Sequence, residues 1–350
     1  MTPAVSLVVV NYRQAQLAAR CVESAHRAFE AENIAGEIIV VDCGSGEAEK
    51  PALAALPAEL CLLPDNRGYS GGLNAGLARA QSARLVLSNA DVLFRPGAFT
   101  ELVRTADDPR VGACAPVCSW DDAGRVLLPP GFDPGFLQEL AMLRGPRSRR
   151  RDERRFARFA REAVRLWTHG GPARHLSGAV LAVRRDVFDR VGRFDERFLF
   201  EYEETEWEAR VRAAGLELRV AATARVRHLW GGSAAGEPET ERRRAESKSL
   251  FRRRRYGALG RALLERAQRR THAAASPALA RRAGAELAAR PGAWLAFSPH
   301  ASGFPFAGAD LECPFRVPPE VRTAMPPGPW LWTVFRGVDG APLDAWWGEP

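Results

Sequence analysis

Between Val5 and Val117, short β-branched runs alternate with longer stretches whose apolar residues recur at helical spacing. The runs are VSLVVV from Val5, EIIVVD ending at Asp42, LCLLP from Leu60, RLVLSNAD ending at Asp91 and VGACAPV from Val111. Each has the length of a buried strand, and each gap can hold a crossover helix, as at Ala15 to Phe29 and Leu73 to Ala80. The alternation predicts an α/β fold with a mainly parallel open sheet and helices on both faces. Such sheets bind ligands beyond the carboxyl ends of their strands. Polar, Gly-rich turns fall at those ends: Asn11 and Tyr12, Asp42 with Gly44 and Gly46, Asn66 to Gly76, and Asn89 to Asp91.

After Cys118 the pattern breaks. Trp120 to Gly171 is Pro/Gly-rich and then becomes a basic helix with Phe156, Phe159, Ala163, Leu166 and Trp167 on one face. It reads as an insertion beside the site, its apolar face docking on the main domain rather than dipping into a membrane interface. From His175 the strand–helix texture returns. LSGAVLAVRRDVF reads as a strand entering a helix, EETEWEARVRAAG as a helix closed by Gly215, and LRVAATARVRH as a strand ending at His228. Residues 291–350 hold five of the nine tryptophans and many Pro and Gly, and segments such as WLAF and WLWTVFRG predict a small β module. Its aromatics suit core packing or a dimer contact better than stacking on sugar rings. The expected organisation is a main domain over 1–240 with 120–171 inserted, a basic helical segment over 241–290 and the β module over 291–350.

Composition narrows the class. With 46% hydrophobic content, 350 residues can bury a large core. No apolar run nears the ~18 residues of a membrane span, and the N-terminal MTPAVSLVVVNYR lacks the features of a signal peptide, so the expected location is cytoplasmic. Six scattered cysteines complete no zinc pattern and are expected reduced and mostly buried. Charge is uneven. Arg147 to Arg165 holds nine arginines against three acids, and Arg242 to Arg270 holds twelve Lys and Arg against two, which leaves the remainder of this +8 chain at −8. Two basic segments on an acidic body suit an anionic partner such as a membrane surface, a lipid diphosphate or a nucleotide diphosphate; a solvated helix face accounts for them equally well. Nucleic acid is not an expected partner.

The candidate chemistry begins with Asp91, a carboxylate delivered by a buried strand to the binding edge of the sheet. Segment Asn66 to Gly76, NRGYSGGLNAG, has four glycines in nine residues ahead of a helix, so its backbone is expected to approach an anionic ligand closely. It is neither a Walker A loop nor a G-x-G-x-x-G fingerprint, which argues against an NTPase or a nicotinamide dehydrogenase. Glu201, Glu203, Glu204, Glu206 and Glu208 crowd the start of a helix, where the dipole favours carboxylates.

In order along the chain, VVVNYR, VVDCGSG, NRGYSGGLNAG, LSNADV, SGAVLAVRRDVFDRVGRFDERF, EETEWEARVRAAG and VRHLWGGS resemble the family 2 inverting glycosyltransferases, especially the rhamnosyl- and galactofuranosyltransferase-like branch. The resemblance covers roughly Val5 to Ser233. It implies a GT-A (nucleotide-diphospho-sugar transferase) fold, a UDP- or dTDP-sugar donor, and a surface-glycan or lipid-linked saccharide acceptor met at the inner membrane face. By the same resemblance, Asn11 and Tyr12 lie along the nucleoside, Asp42 accepts from the base, and Gly68 and Asn74 line the nucleotide pocket. Asp91 matches the second Asp of the family's D-x-D motif and Asn89 stands at the first. Asp91 and His228 are thereby implied ligands of Mg²⁺ or Mn²⁺, with Gly231, Gly232 and Ser233 following the histidine. Glu204 matches the catalytic base, usually an Asp, with Glu203 as the neighbouring candidate. The implied reaction is a single inverting displacement; a glycosidase would instead need two flanking carboxyls. An inactive sugar-nucleotide or glycan-binding homologue is the alternative.

Overall fold

The structure is a computed structural model describing residues 2–131, 133, 135–143, 149–230, 238–269, 286–299 and 305–348. The elements in chain order are β1 (Val5–Asn11), α1 (Ala15–Glu32), β2 (Gly36–Cys43), α2 (Lys50–Ala54), β3 (Glu59–Leu63), α3 (Gly68–Arg79), β4 (Arg84–Asn89), β5 (Val92–Phe94), α4 (Ala98–Ala106) and β6 (Val111–Ser119). They continue with α5 (Phe136–Leu143), α6 (Arg149–His169), β7 (Gly171–Ala173), β8 (Val180–Arg184), α7 (Arg185–Val191), α8 (Glu203–Ala213), β9 (Glu217–His228) and α9 (Pro238–Arg269, broken at Gly257). The chain closes with β10 (Glu286–Leu287), β11 (Ala293–Ser298), β12 (Ala307–Asp310), β13 (Phe315–Arg316), α10 (Pro319–Ala324), β14 (Trp330–Arg336) and β15 (Pro342–Gly348). These group into two compact units, 1–118 with 170–251, and 119–169 with 252–350.

The first unit carries a sheet of order β3-β2-β1-β4-β8-β6-β9-β5, with β7 on β9. β1, β2, β3 and β4 pair in parallel, as their crossover helices require, and register sets Asn11 opposite Asp42 and Val10 opposite Asn89. The β4–β8, β6–β8, β5–β9 and β7–β9 pairs are antiparallel. β1 is buried along its whole length, the signature of a strand covered on both faces. The two arginines at the junction of β8 and α7 are structural: Arg184 donates to the carbonyls of Ala106, Asp108 and Val111, and Arg185 to those of Leu77, Ala80 and Ser82, tying helix ends to the sheet.

The glycine-rich segment differs from expectation. α3 starts at Gly68 instead of Leu73, so most of its glycines lie inside the helix. A Cβ at Gly76 would stand 2.2 Å from Val8 Cγ1, and one at Gly72 would stand 2.7 Å from Val10 Cγ1. These two glycines let α3 lie close on β1; they serve packing, not ligand approach. Gly76→Ala is therefore expected to destabilise the protein by about 1–3 kcal/mol, the usual range for an overpacked core. An unchanged urea midpoint would show that Val8 simply turns aside.

In the second unit, β12-β11-β14-β15 form an antiparallel sheet and β10 pairs β13. The apolar face of α6 packs on this sheet: Phe156 lies 5.4 Å from Phe306 and 5.6 Å from Phe335, and Trp167 stacks on Trp294 at 5.5 Å. Trp332 stacks with Phe297 at 5.0 Å and with Trp346 at 6.4 Å. The tryptophans thus fill a core. The stretch expected to be an insertion docked on the main domain folds instead with the Trp-rich tail. Much of the basic charge is paired internally: buried Arg252 bonds Glu139 and Gln268, Arg255 bonds Asp133, and Arg242 bonds Glu239 and Glu246. No helix among the described residues is long and apolar enough to cross a membrane. All six cysteines are free, and only Cys313 is exposed.

Candidate active site

The carboxyl edge of the parallel strands brings the first group together. Asn11, fully buried at the end of β1, donates from Nδ2 to Asp42 Oδ1 at 2.8 Å, and its Oδ1 has no partner. Asp42 also accepts from Ser45 N at 3.0 Å and from the Ser45 hydroxyl. Ser45 Oγ in turn accepts from Arg13 N at 2.7 Å, which ties the turns after β1 and β2 together. An ionised carboxylate offers about four acceptor positions, so Asp42 retains capacity for a ligand. Tyr12 is half-buried, with the Arg13 guanidinium 5.0 Å from its ring centre. Gly68, at φ 74°, meets Leu199 so closely that a Cβ would lie 2.4 Å from the Leu199 carbonyl oxygen. The Asn74 amide is engaged by the loop before α8, donating to Phe194 O at 2.9 Å and Glu196 Oε1 at 3.0 Å and accepting from Phe194 N at 3.2 Å. Asn74 thus anchors the loop that leads to the acidic helix.

The second group is made by strand pairing. β5 and β9 run antiparallel with Val92 opposite His228, and Leu229 N donates to Asp91 O at 2.9 Å. Asp91 Oδ1 comes to 3.2 Å from His228 Nε2, both side chains being buried. Burial opposes ionisation of Asp91, yet the charge and hydrogen bond of His228 hold its carboxyl below the usual value. Asn89, two residues before Asp91, is half-buried, and its side-chain amide makes no hydrogen bond among the described residues. Residues 231–233 lie outside the described residues.

The third group is the start of α8. Glu201 and Tyr202 both have positive φ, 61° and 71°, a conformation that costs non-glycine residues free energy and that persists at functional sites. This turn places Glu203 and Glu204 inward. Each has an Oε2 that is buried without a partner. The Glu204 side chain occupies the space that Gly178 leaves open, its Cγ 3.0 Å from where a Cβ at 178 would sit. Burial first, and then the charge of Glu204, push Glu203 well above the ordinary carboxylate range. Glu204 is also raised, mainly by burial, with His175 pulling it down and Glu208 pushing it up. Tyr69 connects the groups. Its hydroxyl donates to Gly178 O at 3.2 Å, and its titration is pushed well up by burial and then by Glu203, Glu204 and Asp91. In the sequence Glu208 stands out only as one of five acids crowding a helix start, and Tyr69, Ser45 and His175 carry no signal of their own. Tyr69 sits inside the NRGYSGG motif, but the register of α3 is what turns it toward the acids.

Because the folded-state value of Glu203 is raised, its contribution to stability is whole below the ordinary carboxylate range and is lost as pH rises through the raised value. Glu203→Gln is expected to be more thermostable than wild type at pH 8, by about 2–4 °C for each kcal/mol recovered, with the gain fading near pH 4. Differential scanning calorimetry at the two pH values checks this; equal melting temperatures at pH 8 would mean that Glu203 is comfortably ionised.

A large, partly parallel sheet flanked by helices is the GT-A fold of glycosyltransferases. The chain belongs to glycosyl transferase family 2, whose profile matches residues 6–191. It is 32% identical over 108 residues to the succinoglycan biosynthesis protein ExoO of Rhizobium meliloti, a match spanning 30% of each chain. It is 26% identical over 262 residues to an N-acetylglucosaminyl-diphospho-decaprenol L-rhamnosyltransferase of Mycobacterium tuberculosis, covering 68% of this chain and 80% of that one. Among solved structures, a mannosyltransferase of Pyrobaculum calidifontis in complex with GDP-Man and Mn²⁺ aligns with a TM-score of 0.51 at 17% identity, covering 77% of this chain and 73% of that chain. That likeness concerns the fold.

Proposed function

We propose that the protein transfers a sugar, with inversion, from a UDP- or dTDP-sugar to a hydroxyl of a surface-glycan precursor or lipid-linked saccharide. The observation that carries this reading is the pair of buried, unpartnered carboxyl oxygens of Glu203 and Glu204 in the unit that also joins Asp91 to His228. Glu204 takes the proton of the acceptor hydroxyl as its oxygen attacks the anomeric carbon and the bond to the diphosphate breaks. Asn11, Asp42 and Tyr12 hold the nucleoside, and Asn74 and Gly68 fix the loop and helix that frame the site. Asn89 and Asp91 face the diphosphate. The relative named for a decaprenol-linked acceptor supports the lipid-linked class, and the basic segments suit peripheral contact with the inner membrane face.

Asp91 and His228 fit Mg²⁺ or Mn²⁺. Among the described residues no group of three or more His, Cys, Asp or Glu could hold a metal by itself; one carboxylate and one imidazole suit an ion that completes its shell with diphosphate oxygens. Such an ion, when bound, offsets charge on the leaving diphosphate. The Mn²⁺ in the mannosyltransferase complex is in keeping with this.

The test is to incubate the protein with Mn²⁺ or Mg²⁺ and, in turn, dTDP-rhamnose, UDP-galactofuranose, UDP-glucose and GDP-mannose, with a lipid-linked disaccharide acceptor, and to follow nucleoside diphosphate release. Turnover with a UDP or dTDP donor and a product of inverted anomeric configuration supports the reading. Binding of donors with no turnover on any acceptor would identify a non-catalytic homologue, and turnover with GDP-mannose alone would overturn the donor assignment.

A further inference from the structure

Glu208 lies one helical turn beyond Glu204 on α8, so the two carboxylates share a face of the helix. Its side chain is fully buried. Leu176 N donates to both of its oxygens, at 3.1 and 3.3 Å, and His175 Nδ1 is hydrogen-bonded to Oε2. His175 is itself only 9% exposed. Arg212 Nη1 stands 3.9 Å from Glu208 Oε2, but its hydrogen bond goes to Arg174 O at 2.6 Å. The neighbouring inward positions of α8 are Trp207 and Val211, both wholly buried. Packing alone would be met by an apolar residue at 208, because exchanging a buried ion pair for apolar side chains of similar volume is often neutral or stabilising. A buried histidine–carboxylate pair at this depth needs another reason.

The reason lies one turn away. The segment from His175 to Gly178 runs past both acids, with Glu208 bonded to its start and Glu204 filling the space at Gly178. Glu201, Glu203, Glu204 and Glu208 bring four carboxyl groups to this end of α8, Glu203 being held well above the ordinary carboxylate range, and Tyr69 from α3 brings no positive group. His175 acts on Glu204 in the opposite sense, as does a backbone hydrogen bond. The inference rests on Glu204 being the base. We propose that His175, fixed and kept charged by Glu208, is a positioning residue whose imidazolium holds the Glu204 carboxylate ionised and ready for the acceptor hydroxyl. The acceptor's proton goes to Glu204 and leaves with solvent after product release; the proton shared by His175 and Glu208 stays in place throughout.

His175→Asn keeps an N–H donor near the Nδ1 position and removes the charge. In the pH dependence of kcat/KM, measured with the donor that turns over, the acidic limb is expected to move up by about one pH unit, the smaller end of the effect of a nearby opposite charge. Activity at pH values below the limb then falls about tenfold and recovers at pH 9, with the donor KM unchanged within about twofold. A loss equal at every pH, or a lower melting temperature with the limb unmoved, overturns the proposal and leaves Glu204 as the base. ¹⁵N-histidine NMR reads the pair without any donor. The His175 ring should be doubly protonated at pH 7 in the wild type and should lose a proton in Glu208→Gln. A neutral ring in the wild type at pH 7 overturns the proposal even if His175→Asn does not fold. If no donor is turned over while the wild-type ring is charged, the assignment of Glu204 fails and the charged pair stands as an electrostatic fact of the site.

Discussion

Glu204→Gln is expected to lower turnover by about 10²–10⁴-fold, the usual contribution of a positioned general base, while donor binding changes by no more than a few-fold. The amide keeps the shape that fits against Gly178 but has no basic oxygen for the acceptor proton. Glu203→Gln, by contrast, is expected to retain activity within about tenfold of wild type, because Glu204 is the proposed base and His175 acts on it. Glu204→Asp is the finer probe. It restores the residue usual in the family but draws the carboxylate back by about one methylene, and a misplacement near 1 Å costs about 10²-fold. Steady-state kinetics on the three variants separate the cases. If Glu203→Gln is the variant that abolishes turnover, the base is Glu203; if neither does, the reaction does not run through this pair. Since burial raises Glu204, wild-type activity should climb with pH over a limb lying above the ordinary carboxylate range.

Asp91→Ala is expected to abolish the metal-dependent part of nucleotide binding. A nucleotide at about 100 times its Kd stabilises the folded state by about 2.7 kcal/mol, which in a domain of this size raises Tm by about 5–11 °C. Thermal-shift measurements with UDP, dTDP and GDP, each with and without Mn²⁺, should show that increment in the wild type for UDP or dTDP with metal, and none in Asp91→Ala. His228→Ala should lose part of it, because the carboxylate remains. Melting of the ligand-free variants controls for structure: Asp91 and His228 are buried together at 3.2 Å, so each removal leaves the other without its partner. An undiminished metal response in Asp91→Ala would move the metal away from this pair.

Local pattern writes half of this fold. Runs such as VSLVVV and EIIVVD, separated by crossover-length helices, fix β1, β2, β3 and β4 as parallel neighbours. The turns that follow them must then place Asn11, Asp42 and Asn89 on one edge. Motif order carried the family, and the EETEWEARVRAAG stretch was legible as a helix with its acids at the start. Long-range packing sets the rest. Asp91 and His228 meet because β5 and β9 pair in one register, and a register between strands so far apart in sequence leaves no local trace. Gly72 and Gly76 looked like a ligand-cradling loop; whether a missing Cβ admits a ligand or a neighbouring helix depends on what packs against it, and here that is Val10 and Val8. The amphipathic face of α6 showed that it would be buried but not its partner, since an apolar stripe fits any apolar surface of matching shape, and the surface it meets is the sheet built by residues more than a hundred positions later. His175 and Glu208 are, in sequence, one histidine and one of five helix glutamates; burial and a shared hydrogen bond give them a role, and both arise from long-range packing that periodicity does not encode.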